Sequence, residues 1–123
     1  MRHTSDNGID LIKKFEGFSD KIYICPAGYK TIGYGHMVRD HELFKTVTNG
    51  QAELLLRYDV QIAERAVLRH IQVPLSDGQF DTLVSFTYNL GAGALQSSTL
   101  RRKLNRGEYG EVPAQLMRWV WAG

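Results

Sequence analysis

Two short boxes of the same kind, Thr48-x-x-Gln51 and Ser76-x-x-Gln79, fix where helices begin in the chain beyond residue 47. In such a box the hydroxyl accepts the backbone N–H three residues on. The Gln side chain reaches back to the first residue's own N–H, so two orphan donors are satisfied at once. The first box predicts a long helix to about His70, with Leu55, Leu56, Ile62, Ala63, Ala66 and Val67 as its apolar stripe. Asp59 is the one polar intrusion on that stripe. It is read as a place where the helix is partly exposed or bent, rather than as a binding site. Val73-Pro74 then breaks the chain. The second box predicts a helix to about Leu90, with Phe80, Leu83, Val84 and Thr87 on one side and a stop at Gly91-Ala92-Gly93. Ser97 or Ser98 caps a further helix ending at Arg106-Gly107, and Pro113 suits the first turn of a last one.

The chain before the first box reads differently. Ser5 or Asp6 can cap a short helix that buries Ile9, Ile12 and Phe15, with Leu11 beside them, and stops at Glu16-Gly17. Two β-rich runs follow, Lys21 to Cys25 and Tyr29 to Tyr34. The Pro26-Ala27-Gly28 connection between them predicts a hairpin. Gly33 and Gly35 make the second run irregular, or closely approached by something else. A short helix and a small sheet cannot fold alone. The expected architecture is therefore α+β and mostly helical, a single domain over 1–123. It comprises a small hairpin lobe (1–47), a long connecting helix (48–72) and a helical lobe (73–123), with a cleft between lobes as the natural place for a polymeric substrate.

Composition excludes several classes. A hydrophobic fraction of 43% rules out a disordered chain, and one cysteine rules out a disulfide scaffold. The four His are too scattered for a finger-type zinc site, and His36 and His41 are poorly spaced for a metal. Fifteen basic against thirteen acidic residues give no strong polyanion signal. No apolar run has the length of a signal peptide or a membrane span, so a soluble protein made in the cytosol is expected, needing no cofactor and no metal.

Three residues could carry chemistry. Glu16 stands at the end of the first helix between Phe15 and Phe18, and apolar surroundings raise a carboxyl pKa into the range of a general acid. Its ordinary reading is an exposed helix terminus. Cys25 and Thr31 flank the predicted turn and so come near one another. Cys25 is either a small buried hydrophobe or a nucleophile and carboxylate substitute, while Thr31 is either a strand former or a water holder. Gly33-Tyr34-Gly35-His36 is too little for a phosphate loop. Arg101, Arg102, Lys103 and Arg106 form a basic helix face, ordinarily solvated and otherwise a polyanion site without the interleaved aromatics of a single-strand binder.

In order, Glu16, eight residues, Cys25, five residues and Thr31 match the Glu-x8-(Asp or Cys)-x5-Thr signature. The chain thereby resembles the phage-type lysozymes, glycoside hydrolase family 24. Ile12-Lys13-Lys14-Phe15-Glu16-Gly17, Thr31-Ile32-Gly33-Tyr34-Gly35-His36, the run from Phe80 to Gly91, Ser98-Thr99-Leu100 and Arg118-Trp119 carry the likeness from about residue 8 to 122. The resemblance implies a lysozyme-like fold and an endolysin that cuts the β-1,4 bond between N-acetylmuramic acid and N-acetylglucosamine in peptidoglycan. Glu16 would protonate the leaving oxygen, Cys25 would stand where many relatives have Asp, and Thr31 would position the attacking water. Tyr34, Gly35, His36 and Asn89 would bind the substrate. A thiol in place of the second carboxylate departs from the usual pair; as thiolate it supports positive charge, or serves as base or nucleophile. The family also implies a holin-type release partner, with the enzyme held in the host cytoplasm until it reaches the periplasmic wall, and neither nucleic acid nor stable membrane insertion. Relatives continue past the Trp119-x-x-Ala122-Gly123 segment with a further helix, so an incomplete C-terminal lobe and self-association through it are expected. Two other classes compete: a cysteine-dependent amidase or peptidase built on Cys25 and His36, and a non-catalytic module that binds wall or nucleic acid through the basic helix.

Overall fold

The computed structural model describes residues 1–90, 101–102 and 105–107. The expected helices ending at Arg106-Gly107 and starting near Pro113 fall largely outside those residues, as do Lys103, Trp119 and the expected C-terminal lobe. Helix α1 spans Asp6–Glu16. Ser5 is its cap, since the Ser5 hydroxyl accepts the Gly8 N–H at 3.3 Å. It ends as expected at Gly17, whose N–H bonds the Lys13 carbonyl at 2.9 Å.

Strands β1 (Ser19–Ile24), β2 (Lys30–Gly33) and β3 (His36–Met37) form one antiparallel sheet in the order β1-β2-β3. Tyr23 pairs with Thr31 and Ile24 with Lys30, and the register slips between Ser19 and Tyr23. The predicted hairpin is present. The Cys25 N–H bonds the Tyr29 carbonyl at 2.9 Å, and the Gly28 N–H bonds the Cys25 carbonyl at 2.8 Å. The second run is shorter than predicted, because the chain turns at Tyr34-Gly35 and returns as β3. That two-residue strand is too short to show a period of its own.

Helix α2 spans Asn49–His70 and α3 spans Asp77–Leu90. Both boxes close reciprocally: Thr48 and Gln51 at 2.9 and 3.1 Å, Ser76 and Gln79 at 2.9 and 3.2 Å. The predicted face of α3 holds, with Phe80, Leu83, Val84 and Thr87 all buried. Of the predicted face of α2, Leu56, Ala63, Ala66 and Val67 are buried, Leu55 is half-buried and Ile62 is not buried. Ala52, Leu56, Val60, Ala63 and Val67 are buried, whereas Ile62 is 64% exposed. Ala52, Leu56, Val60, Ala63 and Val67 follow one another at four, four, three and four residues, with Glu64 and Ala66 buried beside them.

Contacts divide the chain into two compact units. One is Asp10–Asp59, with a core of Ile32, Val47 and Ala52 on which Tyr34, Val38 and Phe44 pack. The other joins Met1–Ile9 to the chain from Val60 onward. Side-chain hydrogen bonds tie the N-terminal residues into this second unit. Arg2 donates to the Leu75 carbonyl at 3.0 Å and to Asp77 at 2.9 Å, and its guanidinium lies 4.6 Å from the Phe80 ring centre. Thr4 gives its hydroxyl proton to Glu64 at 2.7 Å and also donates its N–H there, while His3 Nδ1 lies 3.2 Å from the same carboxylate. Ser5 donates its N–H to Asp81 at 3.0 Å. Glu64, only 2% exposed, is thus buried with its oxygens satisfied.

Candidate active site

Glu16 is half-buried at the C-terminal end of α1. Its carboxyl sits against Gly35 in the β2–β3 turn: a Cβ added to Gly35 would lie 2.6 Å from Glu16 Oε2. Gly35 also has φ +80°, a conformation that costs an L side chain strain. The close approach expected at this glycine is therefore made by the candidate acid itself. Gly33 serves the neighbouring packing, its added Cβ meeting Ala52 Cβ of α2 at 3.0 Å. Burial raises the Glu16 pKa above the ordinary carboxyl value, because the low-polarity site disfavours the charged form. Among the described residues no cation or donor opposes that rise.

The β1–β2 hairpin brings Cys25 and Thr31 together. The Thr31 hydroxyl donates to the Tyr29 carbonyl at 3.0 Å, the same carbonyl that accepts the Cys25 N–H. The Cys25 thiol pKa is lowered, first by the Tyr29 backbone and then by the Thr31 side chain, with partial burial working the other way. A thiol held down by donors spends more time as thiolate. Tyr34 stands in the turn beside Gly35. Its ring centre lies 5.3 Å from that of Phe18, and Lys13 Nζ lies 5.4 Å from it. Lys13 is ion-paired with Glu53, which also takes Arg57 Nε at 3.2 Å. Asn89 is exposed in the last turn of α3 and belongs to the other unit.

His36 sits at the centre of a cluster of carboxylates. It is buried, with Nδ1 2.7 Å from Asp59 Oδ2 and Nε2 3.0 Å from both Glu42 oxygens. Both ring nitrogens are engaged, and through Asp59 the ring ties β3 to α2. Asp59 is partly exposed, as one of the two expectations had it, and it is also the partner of a buried histidine. Nothing local marked Glu42. Its carboxylate accepts the Arg39 N–H at 2.7 Å in a loop and meets His36 only once the loop has folded. Of the basic residues Arg101, Arg102 and Arg106, Arg101 donates its Nε–H to the His70 carbonyl at the end of α2, 3.2 Å away.

Burial alone lowers the His36 pKa, but the hydrogen bonds to Asp59 and Glu42 outweigh it and leave it above the usual 6.5. For Glu42 burial raises the pKa, and the Arg39 N–H and His36 reverse this to a value below 4.5. The stability that follows has a definite sign. The His36 contribution is full below pH 6.5 and is lost as pH rises through the elevated folded value. The Glu42 contribution is present above pH 4.5 and is lost as pH falls through its depressed value. Denaturant melts of the parent and of His36→Gln should therefore differ most between pH 4.5 and 6.5 and converge as the medium becomes alkaline. A difference that stays undiminished from pH 6.5 into the alkaline range would refute the charged bridge.

With fold and geometry in place, comparison with known proteins decides the family. The family model for phage lysozyme matches residues 13–123. The chain belongs to the phage lysozyme family. It is 39% identical over 117 residues to an endolysin of Acyrthosiphon pisum secondary endosymbiont phage 1, covering 95% of this chain and 80% of that one. Against the endolysin of Bacillus phage B103 it is 42% identical over 121 residues, covering 97% of this chain but only 46% of the relative. Among solved structures, the muramidase domain of SpmX from Asticaccaulis excentricus superposes with a TM-score of 0.84 at 40% identity, covering 95% of this chain and 79% of that chain. Membership places this lysozyme relative among the glycoside hydrolases that degrade peptidoglycan in host lysis.

Proposed function

We propose that this lysozyme relative hydrolyses the β-1,4 bond between N-acetylmuramic acid and N-acetylglucosamine, the reaction of a muramidase, with Glu16 as the general acid. What carries the reading is the seat of Glu16. A carboxyl half-buried against the glycine of a turn keeps its proton closer to neutral pH, as a group that must protonate a leaving oxygen requires. Thr31 positions the attacking water, and Cys25 takes the part of the second carboxylate, supplying negative charge opposite the oxocarbenium-like transition state. Tyr34, Gly35 and Asn89 contribute to glycan binding. The protein waits in the host cytoplasm and reaches the wall through a holin-type partner. Among the described residues no helix is long and apolar enough to cross a membrane.

Release of reducing sugar from purified peptidoglycan tests the reaction, since a peptidase would release free amines and a binding module neither. Cys25 is tested separately. Cys25→Asp should retain or raise the rate, Cys25→Ala should lower it roughly 10–100-fold, and a thiol-blocking reagent should inhibit the parent while sparing the Asp variant. An inactive Cys25→Asp beside an active parent would assign Cys25 as a nucleophile. An undiminished Cys25→Ala would reduce it to packing.

A further inference from the structure

The face of α2 turned away from the core is unusual. A helix that buries one stripe normally carries charged and polar groups on the other. Here the solvent arc holds Leu54, Tyr58, Ile62 and Leu68, exposed by 71, 61, 64 and 43%, together with exposed Arg65 and Arg69. At 100° per residue these six positions fall within an arc of about 120°, over about 22 Å of helix. No acidic residue lies on that arc. The acidic groups of α2 are elsewhere: Glu64 is buried with Thr4 and His3, Asp59 is held by His36, and Glu53 is paired with Lys13 and Arg57. Among the described residues Arg65 and Arg69 have no ion-pair partner, whereas Arg57 is paired with Glu53.

We infer that this face of α2 is a peripheral docking surface for an anionic phospholipid bilayer. The observation that selects this occupant is charge complementarity. An apolar arc with cations and without anions matches acyl chains below and phosphate headgroups above. Tyr58 has the apolar body and polar tip suited to that boundary, and the arginines can hold phosphate by paired N–H donors while their stems lie on the apolar arc. The helix lies on the surface rather than across it, consistent with a length and polarity that fit no span. This contact is separate from catalysis, because none of its residues belongs to the candidate site.

Co-sedimentation with vesicles tests it, using phosphatidylglycerol–phosphatidylethanolamine against phosphatidylcholine alone. The parent should bind the anionic vesicles at least about fivefold better than the neutral ones, and binding should weaken at about 0.15 M salt, where screening reaches ~8 Å. Tyr58→Ser/Ile62→Ser and, independently, Arg65→Glu/Arg69→Glu should each lower anionic-vesicle binding about fivefold or more, with unchanged circular dichroism and sugar release from soluble wall fragments. All four side chains are exposed, so folding should be retained; if one pair fails to fold, the other carries the test. Equal sedimentation with both vesicle types, or binding unaltered by both folded variants, overturns the inference. So does a parent that ignores vesicles but forms a dimer abolished by Tyr58→Ser/Ile62→Ser, which would give the face to a second copy of the chain.

Discussion

Glu16→Gln should lower the rate of sugar release from peptidoglycan by at least about 100-fold, the contribution typical of a positioned general acid. Gln keeps the length and shape of the side chain and removes only the proton that the reaction needs. The stability of the variant adds a second readout with a fixed sign. Burial raises the Glu16 pKa, so the folded state disfavours the ionised carboxyl. That penalty is absent below the unfolded value near 4.5, grows as pH rises towards the elevated folded value, and stays constant above it. Glu16→Gln should then be as stable as the parent in acid and more stable at neutral pH, while being nearly inactive. The acid limb of a pH–rate profile belongs to other groups; the alkaline limb should vanish with Glu16. A folded Glu16→Gln protein with parental activity would remove Glu16 from the mechanism.

Gly35→Ala should separate activity from stability in a different way. At φ +80° an alanine costs about 1–2 kcal/mol of folding free energy. The new methyl would also meet Glu16 Oε2 at 2.6 Å, far inside contact distance. That clash is with the end of a flexible side chain, so it is relieved by moving the carboxyl rather than the backbone. The stability loss stays near the backbone figure, but the acid is displaced by an ångström or so from its seat. Misplacement on that scale can cost about 100-fold in rate. The expected result is thus a modest fall in Tm beside a large fall in kcat. A variant that loses both in proportion, or neither, would show that the turn does not seat the acid. Serine at the same position should behave like alanine, since the obstacle is Cβ itself.

These expectations rest on a site that the sequence made partly legible. The capping boxes at Thr48 and Ser76, the Ser5 cap and the Gly17 stop all reappear, because each depends on donors and acceptors within about four residues of one another. The hairpin is equally local. Its turn brings Cys25 and Thr31 to the same Tyr29 carbonyl. Spacing also singled out Glu16 as a candidate, and the paired glycines left open either an irregular strand or a close approach. What comes close there, the Glu16 carboxyl, could not be read from spacing.

Only the tertiary structure decided which polar groups go inside. Periodicity scores Asp59 as a flaw and Ile62 as core, yet Asp59 holds His36 and Ile62 stands in solvent. Glu64 reads as a surface residue of a helix, yet it is buried by Thr4, 60 residues away. For the two carboxylates the physical reason is the same. A helix rule knows only its own turn, whereas the cost of burying a charge is set by the donors that arrive to meet it. Those donors come from distant parts of the chain, so local pattern determines where α2 begins and ends, and folding determines which of its faces is the inside.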